Sequence, residues 1–289
     1  MKKLLITGAS GFLGWSLCQQ AKQSWEVYGT YFQHNLKIPQ VNSLKMDLTN
    51  FKDLQEIVRA IEPEAIIHLA AVSQPNYCQE HPQESAKVNV DVSIDLANLC
   101  SELNIPCVFT STDLVFDGLN APYREIDPVS PINYYAEQKV KAEQEMLSRF
   151  PKTVICRMPL MFGVSSPNCA SFIDFLIQTL KEGKELSLFT DEFRTPVSTL
   201  TASNGLLLAL DKAEGEILHL GGKQRVSRHQ FGLLIAEVLG LSTSLIKTCK
   251  QQDIPMAAPR SPDVSLDSSK AFSLGYQTLS LRQELEKLK

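Results

Sequence analysis

The sequence predicts an α/β fold, a Rossmann-type doubly wound parallel sheet with a smaller C-terminal lobe. Three observations predict it. Short, continuously apolar runs alternate with helical stretches through the first half of the chain, as strands covered on both faces of a parallel sheet require. A glycine-bearing turn, TGASGFLG over 7–14, joins the first run to the first helical stretch. After about residue 158 the alternation gives way to loops and shorter elements. These features divide the chain into a first domain over 1–158 and a smaller lobe over 159–289, with some exchange of chain between them.

The elements follow in order. Residues 4–7 form a short apolar strand, and Phe12, Leu13, Leu17 and Ala21 recur at helical spacing directly after the turn. Further apolar runs at 26–31, 43–46, 65–71, 105–110 and 153–157 read as strands, with helices at 51–61 and 85–103 between them. The second lobe shows a helical stretch at 171–181 and short strands near 185–189 and 216–220. A helix over 228–239 follows, capped by Ser227, and then a segment bearing Pro255, Pro259 and Pro262. No repeat, low-complexity tract or flexible linker interrupts the chain, so the two parts are expected to share one rigid interface.

Bulk properties exclude several functions. At 289 residues, 44% hydrophobic and 21% charged, the chain has the length and composition of a globular protein with a substantial core. Lys and Arg number 28 against 32 Asp and Glu, a net charge of −4, which offers no basic field to nucleic acid or to an anionic membrane. Cys18, Cys78, Cys100, Cys107, Cys156, Cys169 and Cys249 form no C-x-x-C pair and read as reduced, buried thiols. The five histidines form no ligand cluster, so no metal is expected. Gly8 and Gly11 interrupt the N-terminal apolar run too early for a signal segment or a membrane span, and a cytoplasmic location is expected. A homodimer is left open.

Chemistry is suggested at two places. Gly8, Gly11 and Gly14 stand between a strand and a helix, where glycine permits a tight turn and close approach, and the helix N-terminus presents amides to a pyrophosphate. An ordinary strand-to-helix turn is the alternative reading. A carboxylate selecting NAD would sit at the end of the second strand, but residues 29–34, GTYFQH, contain none, and Lys37 lies nearby. NADP is therefore favoured, with NAD open. The second place is STDLVFDG at 111–118 and PINYYAEQK at 131–139. Tyr135 and Lys139 share a helical face at a spacing of four, so an ammonium lies near a phenol whose ordinary pKa is about 10. With the Thr112 hydroxyl, they form a set suited to acid/base work on a carbonyl. A strand-end cap and a solvated helix face are the bland readings.

With these residues assembled, the chain resembles the extended short-chain dehydrogenase/reductase superfamily, and within it the dTDP-4-dehydrorhamnose reductases and their relatives. The resemblance runs over essentially the whole chain. It is carried by TGASGFLG, Asp47–Leu48, HLAA at 68–71, Asn89 in KVNVDVS, the two segments above and LDSSKAFSLGY at 266–276. It implies that Gly8, Ser10, Gly11, Phe12, Leu13 and Gly14 meet the cofactor pyrophosphate, with Asp47 and Leu48 beside the adenine and Ala70 and Ala71 along the cofactor channel. Thr112, Tyr135, Lys139 and Asn89 would form the catalytic tetrad, with Tyr135 and Lys139 also touching cofactor. Thr112 and Asp113 would face substrate. Arg194, in FRTPVST at 193–199, would meet the diphosphate of a nucleotide-linked sugar through its guanidinium fork, a salt bridge being the alternative. His68 reads as a core histidine. The chain departs from the resemblance at Leu160, where a tryptophan usually meets the sugar, and at Ala136 and Gln138 of the tyrosine motif. The implied reaction is NADPH-dependent reduction of a keto group on a nucleotide-linked sugar. The same fold and residues also serve NAD-dependent epimerases and dehydratases, and the chain is also similar to an NADP-binding regulatory subunit, the beta subunit of methionine adenosyltransferase.

Overall fold

A computed structural model describes residues 1–289 apart from Leu36, Pro167, Asn168 and Ala170. The N-terminal part runs β1 (Lys2–Thr7), α1 (Phe12–Ala21), β2 (Trp25–Tyr31), β3 (Val41–Lys45), α2 (Phe51–Ile61) and β4 (Ala65–His68). It continues with α3 (Pro75–Glu80), α4 (Pro82–Ala86), a π-helical turn (Lys87–Asp91), α5 (Val92–Leu103) and β5 (Cys107–Thr112). A 3-10 turn (Asp113–Val115), α6 (Tyr134–Arg149) and β6 (Val154–Met158) complete it. The later part contains β7 (Met161–Phe162), α7 (Phe172–Lys181), β8 (Leu186–Phe189), β9 (Phe193–Arg194), β10 (Val197–Ser198) and α8 (Thr199–Lys212). It ends with β11 (Ile217–His219), β12 (Val226–Ser227), α9 (Arg228–Leu239), β13 (Ile246–Cys249), α10 (Ser269–Ser273) and α11 (Leu281–Glu286).

Seven parallel strands form the central sheet in the order β11-β6-β5-β4-β1-β2-β3. Leu4 to Thr7, all of β4 and all of β5 are buried, because helices cover both faces. One face packs α1 and α8 around Leu13, Leu17, Ala202 and Leu206; the other packs α2, α5 and α6 around Leu54, Val58, Leu96 and Met146. Each such leucine, fully withdrawn from water, contributes about 1.5–3 kcal/mol. A separate cluster around Ile173, Leu176, Leu188, Phe231 and Ile235 forms the core of the later segments.

Three local outcomes differ from the sequence reading. The apolar run at 65–71 leaves the sheet after His68, because the Thr7 hydroxyl accepts the amides of Leu69 and Ala70 at 3.1 and 3.2 Å. The helix expected over 85–103 is broken by the π-turn. Its extra residue rotates Asn89 inward to 1% exposure, where the backbone of Val72 receives it. The strand near 216–220, assigned from sequence to the smaller lobe, pairs with β6 as an edge strand of the main sheet, so the chain returns past residue 158. Its neighbours explain this: Leu218 and His219 are buried, and α8 before it packs on α1. The helix over 228–239 forms as expected, with a capping box between Ser227 and Gln230.

Candidate active site

Parallel pairing brings the C-terminal ends of β1, β4 and β5 to one edge of the sheet, where α/β folds open their binding crevices. At the end of β1, Gly8 has φ +68°, and a Cβ there would stand 2.8 Å from the Ala70 backbone. A Cβ on Gly14 would stand 2.7 Å from Ala9 Cα. Only hydrogen at these positions lets β1, β4 and α1 meet so closely. Gly11 occupies the N-cap of α1 with no side-chain cap, which leaves the amides of Phe12, Leu13 and Gly14 for an anion at the positive end of the helix. Ser10, Ala70 and Ala71 are half-buried around this turn. A dinucleotide fits the cradle.

Beneath it lies His68. Since Thr7 Oγ1 already accepts two amides, its proton goes to His68 Nδ1 at 2.6 Å, which leaves the imidazole proton on Nε2 facing Ser93 Oγ at 3.1 Å. Burial, followed by the Lys139 charge, holds this histidine near a pKa of about 3, so it is a neutral core group. Just after β3, Asp47 is exposed and accepts from the amide and hydroxyl of Thr49 at 3.0 and 2.7 Å, while half-buried Leu48 packs on the α2 core.

The catalytic candidates meet at the end of β5. Asn133 caps α6 by accepting from the Ala136 amide at 3.0 Å, and this phase turns Tyr135 inward at 8% exposure while Tyr134 remains 42% exposed. Thr112 Oγ1 accepts from Leu114 N and donates to Asp113 Oδ1, both at 3.2 Å. Burial first, then the Asp113 charge, raises the Tyr135 pKa, with the Thr112 hydroxyl opposing. Tyr135 is thus a protonated phenol at neutral pH. Lys139, one turn later and 2% exposed, places Nζ 4.2 Å above the Phe109 ring. Burial pulls its pKa down to about 7, against the pull of Glu143 and Cys78.

Asn89 is drawn to this place by a different set of contacts. Its Oδ1 accepts from Val72 N at 2.8 Å, and its Nδ2 donates to Val72 O at 3.0 Å and to Gln138 Oε1 at 2.8 Å. Both amide protons are therefore used. Gln138 donates to Pro82 O and Ser85 Oγ, both at 2.9 Å, so the long side chain at this position ties α6 to α4 and the π-turn. Asn89 holds the Ala70–Val72 segment against the helix that carries Tyr135 and Lys139.

Arg194 is 4% exposed, deeper than a phosphate-facing residue needs to be. Nε stands 3.5 Å from Asp113 Oδ2 and Nη2 stands 3.2 Å from Glu192 Oε1, while Nη1 donates to the carbonyls of Phe193 and Ser261. Glu192 Oε1 also pairs with Arg228 Nε at 2.8 Å, and Arg228 Nη1 is buried with no hydrogen-bond partner. Arg260 lies within electrostatic reach of Glu192, Arg194 and Arg228, and donates to Asn76. Burial, despite Arg194 and Thr112, pushes Asp113 up to about 6. The sequence reading missed Glu192, Arg228 and Arg260, which lie scattered along the chain; only the acid two residues before Arg194 was a local signal. Leu160 is half-buried against the core of the later segments around Ile173 and Phe231. Among the described residues no group of His, Cys, Asp and Glu is placed to hold a metal, and no helix is long and apolar enough to cross a membrane.

The RmlD substrate binding domain family matches residues 1–288. The chain belongs to this family. It is an extended short-chain dehydrogenase/reductase, in the NAD(P)-dependent oxidoreductase class. Methionine adenosyltransferase 2 subunit beta of Bos taurus is 26% identical over 282 residues, 95% of this chain and 83% of that protein. A probable low-salt glycan biosynthesis reductase, Agl14 of Haloferax volcanii, is 27% identical over 98% of this chain and 96% of its own length. Among solved structures, a hypothetical dTDP-4-dehydrorhamnose reductase of Sulfolobus tokodaii superposes with a TM-score of 0.85 and 30% identity, covering 97% of this chain and 98% of that one.

Proposed function

We propose that the protein reduces a keto carbon of a nucleotide-linked sugar with NADPH. The observation that carries this reading is the convergence of Thr112, buried Tyr135 and buried Lys139 at the sheet edge that also holds the glycine cradle. The bound nicotinamide supplies hydride. Thr112 Oγ1 and the Tyr135 hydroxyl hold the substrate carbonyl oxygen, and Tyr135 gives up its proton as charge develops there. Lys139 stabilises the resulting phenolate and binds the nicotinamide ribose. The acid-free end of β2 favours the 2′-phosphate of NADPH.

The sugar diphosphate is met by the arginine cluster. Arg194 is its innermost member and holds Glu192, which in turn orients Arg228; Arg228 Nη1 is the donor left over. A screen of NADPH oxidation against nucleotide-linked 4-keto sugars tests the function, and consumption of cofactor in step with sugar identifies a reductase. An epimerase or dehydratase would turn over sugar without net loss of NADPH. The likeness to methionine adenosyltransferase 2 subunit beta supports a second reading, a partner protein that binds cofactor. Stoichiometric co-purification with a synthetase, without NADPH oxidation on any sugar, would favour it.

A further inference from the structure

Lys139 is a buried cation without an adjacent counter-charge. It is 2% exposed, rests on an aromatic ring, and has no ion pair among the described residues. One turn further along the same buried face of α6 is Glu143, 4% exposed. Glu143 is gripped from β6 by Arg157, whose Nε and Nη2 reach its two oxygens at 3.1 and 2.8 Å. Arg157 is itself fixed, with Nη1 3.4 Å from Nε2 of buried His219 and its guanidinium over the Phe116 ring. A charged arginine within the apolar run of a central strand is costly unless its partner is rigidly paired.

We propose that Glu143, locked by Arg157, is the positioning residue that keeps the Lys139 ammonium charged in its dry pocket. The inference rests on the reading of Tyr135 and Lys139 as the catalytic pair. The fork fixes the Glu143 carboxylate on the buried face of α6 that it shares with Lys139, and low dielectric lets the charge act over one turn. Its direction matches the influences on Lys139, where Glu143 is the largest that opposes burial. The other groups bearing on Lys139 are the Cys78 thiol of α3 and neutral His68 of β4. Asp113 in the 3-10 turn bears on Tyr135. The remaining charged residues of nearby α4, the π-turn and α5 include Glu84, Lys87 and Asp91, exposed, and Asp95, half-buried.

The test reads the lysine directly in substrate-free protein. Lysine is labelled with 13C at Cε, and the Lys139 resonance is assigned by its loss in Lys139→Met. In Glu143→Gln the titration midpoint of Lys139 should fall by about one pH unit, a tenfold change in its protonation ratio, because an opposite charge has been removed. The double variant Glu143→Gln/Arg157→Met removes the arginine charge together with its carboxylate, so it keeps the test available if the single variant fails to fold. Its midpoint should also lie below wild type. An unmoved or raised midpoint in the folded variant overturns the proposal, even if wild-type protein reduces a sugar. A lowered midpoint in a protein that fails to oxidise NADPH on any sugar would sustain the tuning and sink the catalytic reading instead. With an active substrate, the limb of the pH–rate profile that reports lysine deprotonation should move to lower pH in step with the NMR midpoint.

Discussion

Replacing Asp113 by Asn tests whether a carboxylate has been buried beside the Thr112 and Tyr135 hydroxyls at a cost. Asp113 is 4% exposed, its Oδ2 has no hydrogen-bond donor, and the nearest cation, Arg194 Nε, is 3.5 Å away. Burial outweighs that attraction and raises the carboxyl from 3.8 to about 6. A group whose folded pKa is raised holds a proton in the native state that the unfolded chain has already lost. Stability therefore falls as pH rises from 3.8 to about 6, and stays lower above it. At roughly 1.36 kcal/mol per pH unit, the difference amounts to about 3 kcal/mol as an upper estimate. Asparagine keeps the acceptor for Thr112 and cannot ionise. Urea titrations of both proteins on either side of that window should show the variant gaining about 3 kcal/mol relative to wild type toward high pH. Because the comparison is between two pH values, any fixed cost of placing an amide against Arg194 cancels. A stability difference that is the same on both sides would refute the argument, and would mean that Arg194 compensates the carboxylate fully. Activity should fall in the same variant, since the charge beside Tyr135 is removed.

Tyr135→Phe should lower turnover by about a hundredfold to ten-thousandfold with cofactor affinity retained, and wild-type turnover on a verified substrate would remove the phenol from the mechanism. Fluorescence titration should show NADPH binding more tightly than NADH; a tenfold preference for NADH, about 1.4 kcal/mol, would contradict the reading of residues 29–34. Arg228→Ala should raise the apparent Michaelis constant for a nucleotide sugar by about one to two powers of ten, the loss of one charged hydrogen bond, and spare NADPH. Equal losses for both ligands would assign Arg228 to the fold. Arg194→Ala should instead be read first in stability, with a loss of about 3–5 kcal/mol, because Asp113 and Glu192 lose a buried partner; a full-stability variant would show that the cluster is held by other contacts.

What was legible in the sequence, and what was not, follows from how each feature is encoded. The glycine cradle and the Tyr135–Lys139 pair lie within single short segments whose spacing is fixed by one turn or one helix, so local periodicity places them. The sheet is legible for the same reason, since buried parallel strands are uninterrupted apolar runs. The π-turn is not, because one extra residue in a helix changes no pattern of hydrophobicity, and the contacts Asn89 makes there are distant in the chain, to Val72, 17 residues earlier, and to Gln138, 49 residues later. Nor is the lobe assignment of β11, a three-residue strand whose pairing with β6 depends on α8 having already crossed back onto α1.

The charged interior shows the limit most clearly, and also a way past it. Arg194 was readable as a guanidinium suited to phosphate, but its burial is decided by Asp113, 81 positions earlier, and by Ser261, 67 positions later. No window on the sequence contains all three. Arg157, by contrast, carries a local signal that the sequence reading did not use: an arginine inside VICRM on a buried strand needs a carboxylate opposite it, and Glu143 supplies it. Glu143 then follows from helical phase, two turns beyond Tyr135 and one beyond Lys139, so the same spacing that reveals the acid/base pair also points to the carboxylate behind it.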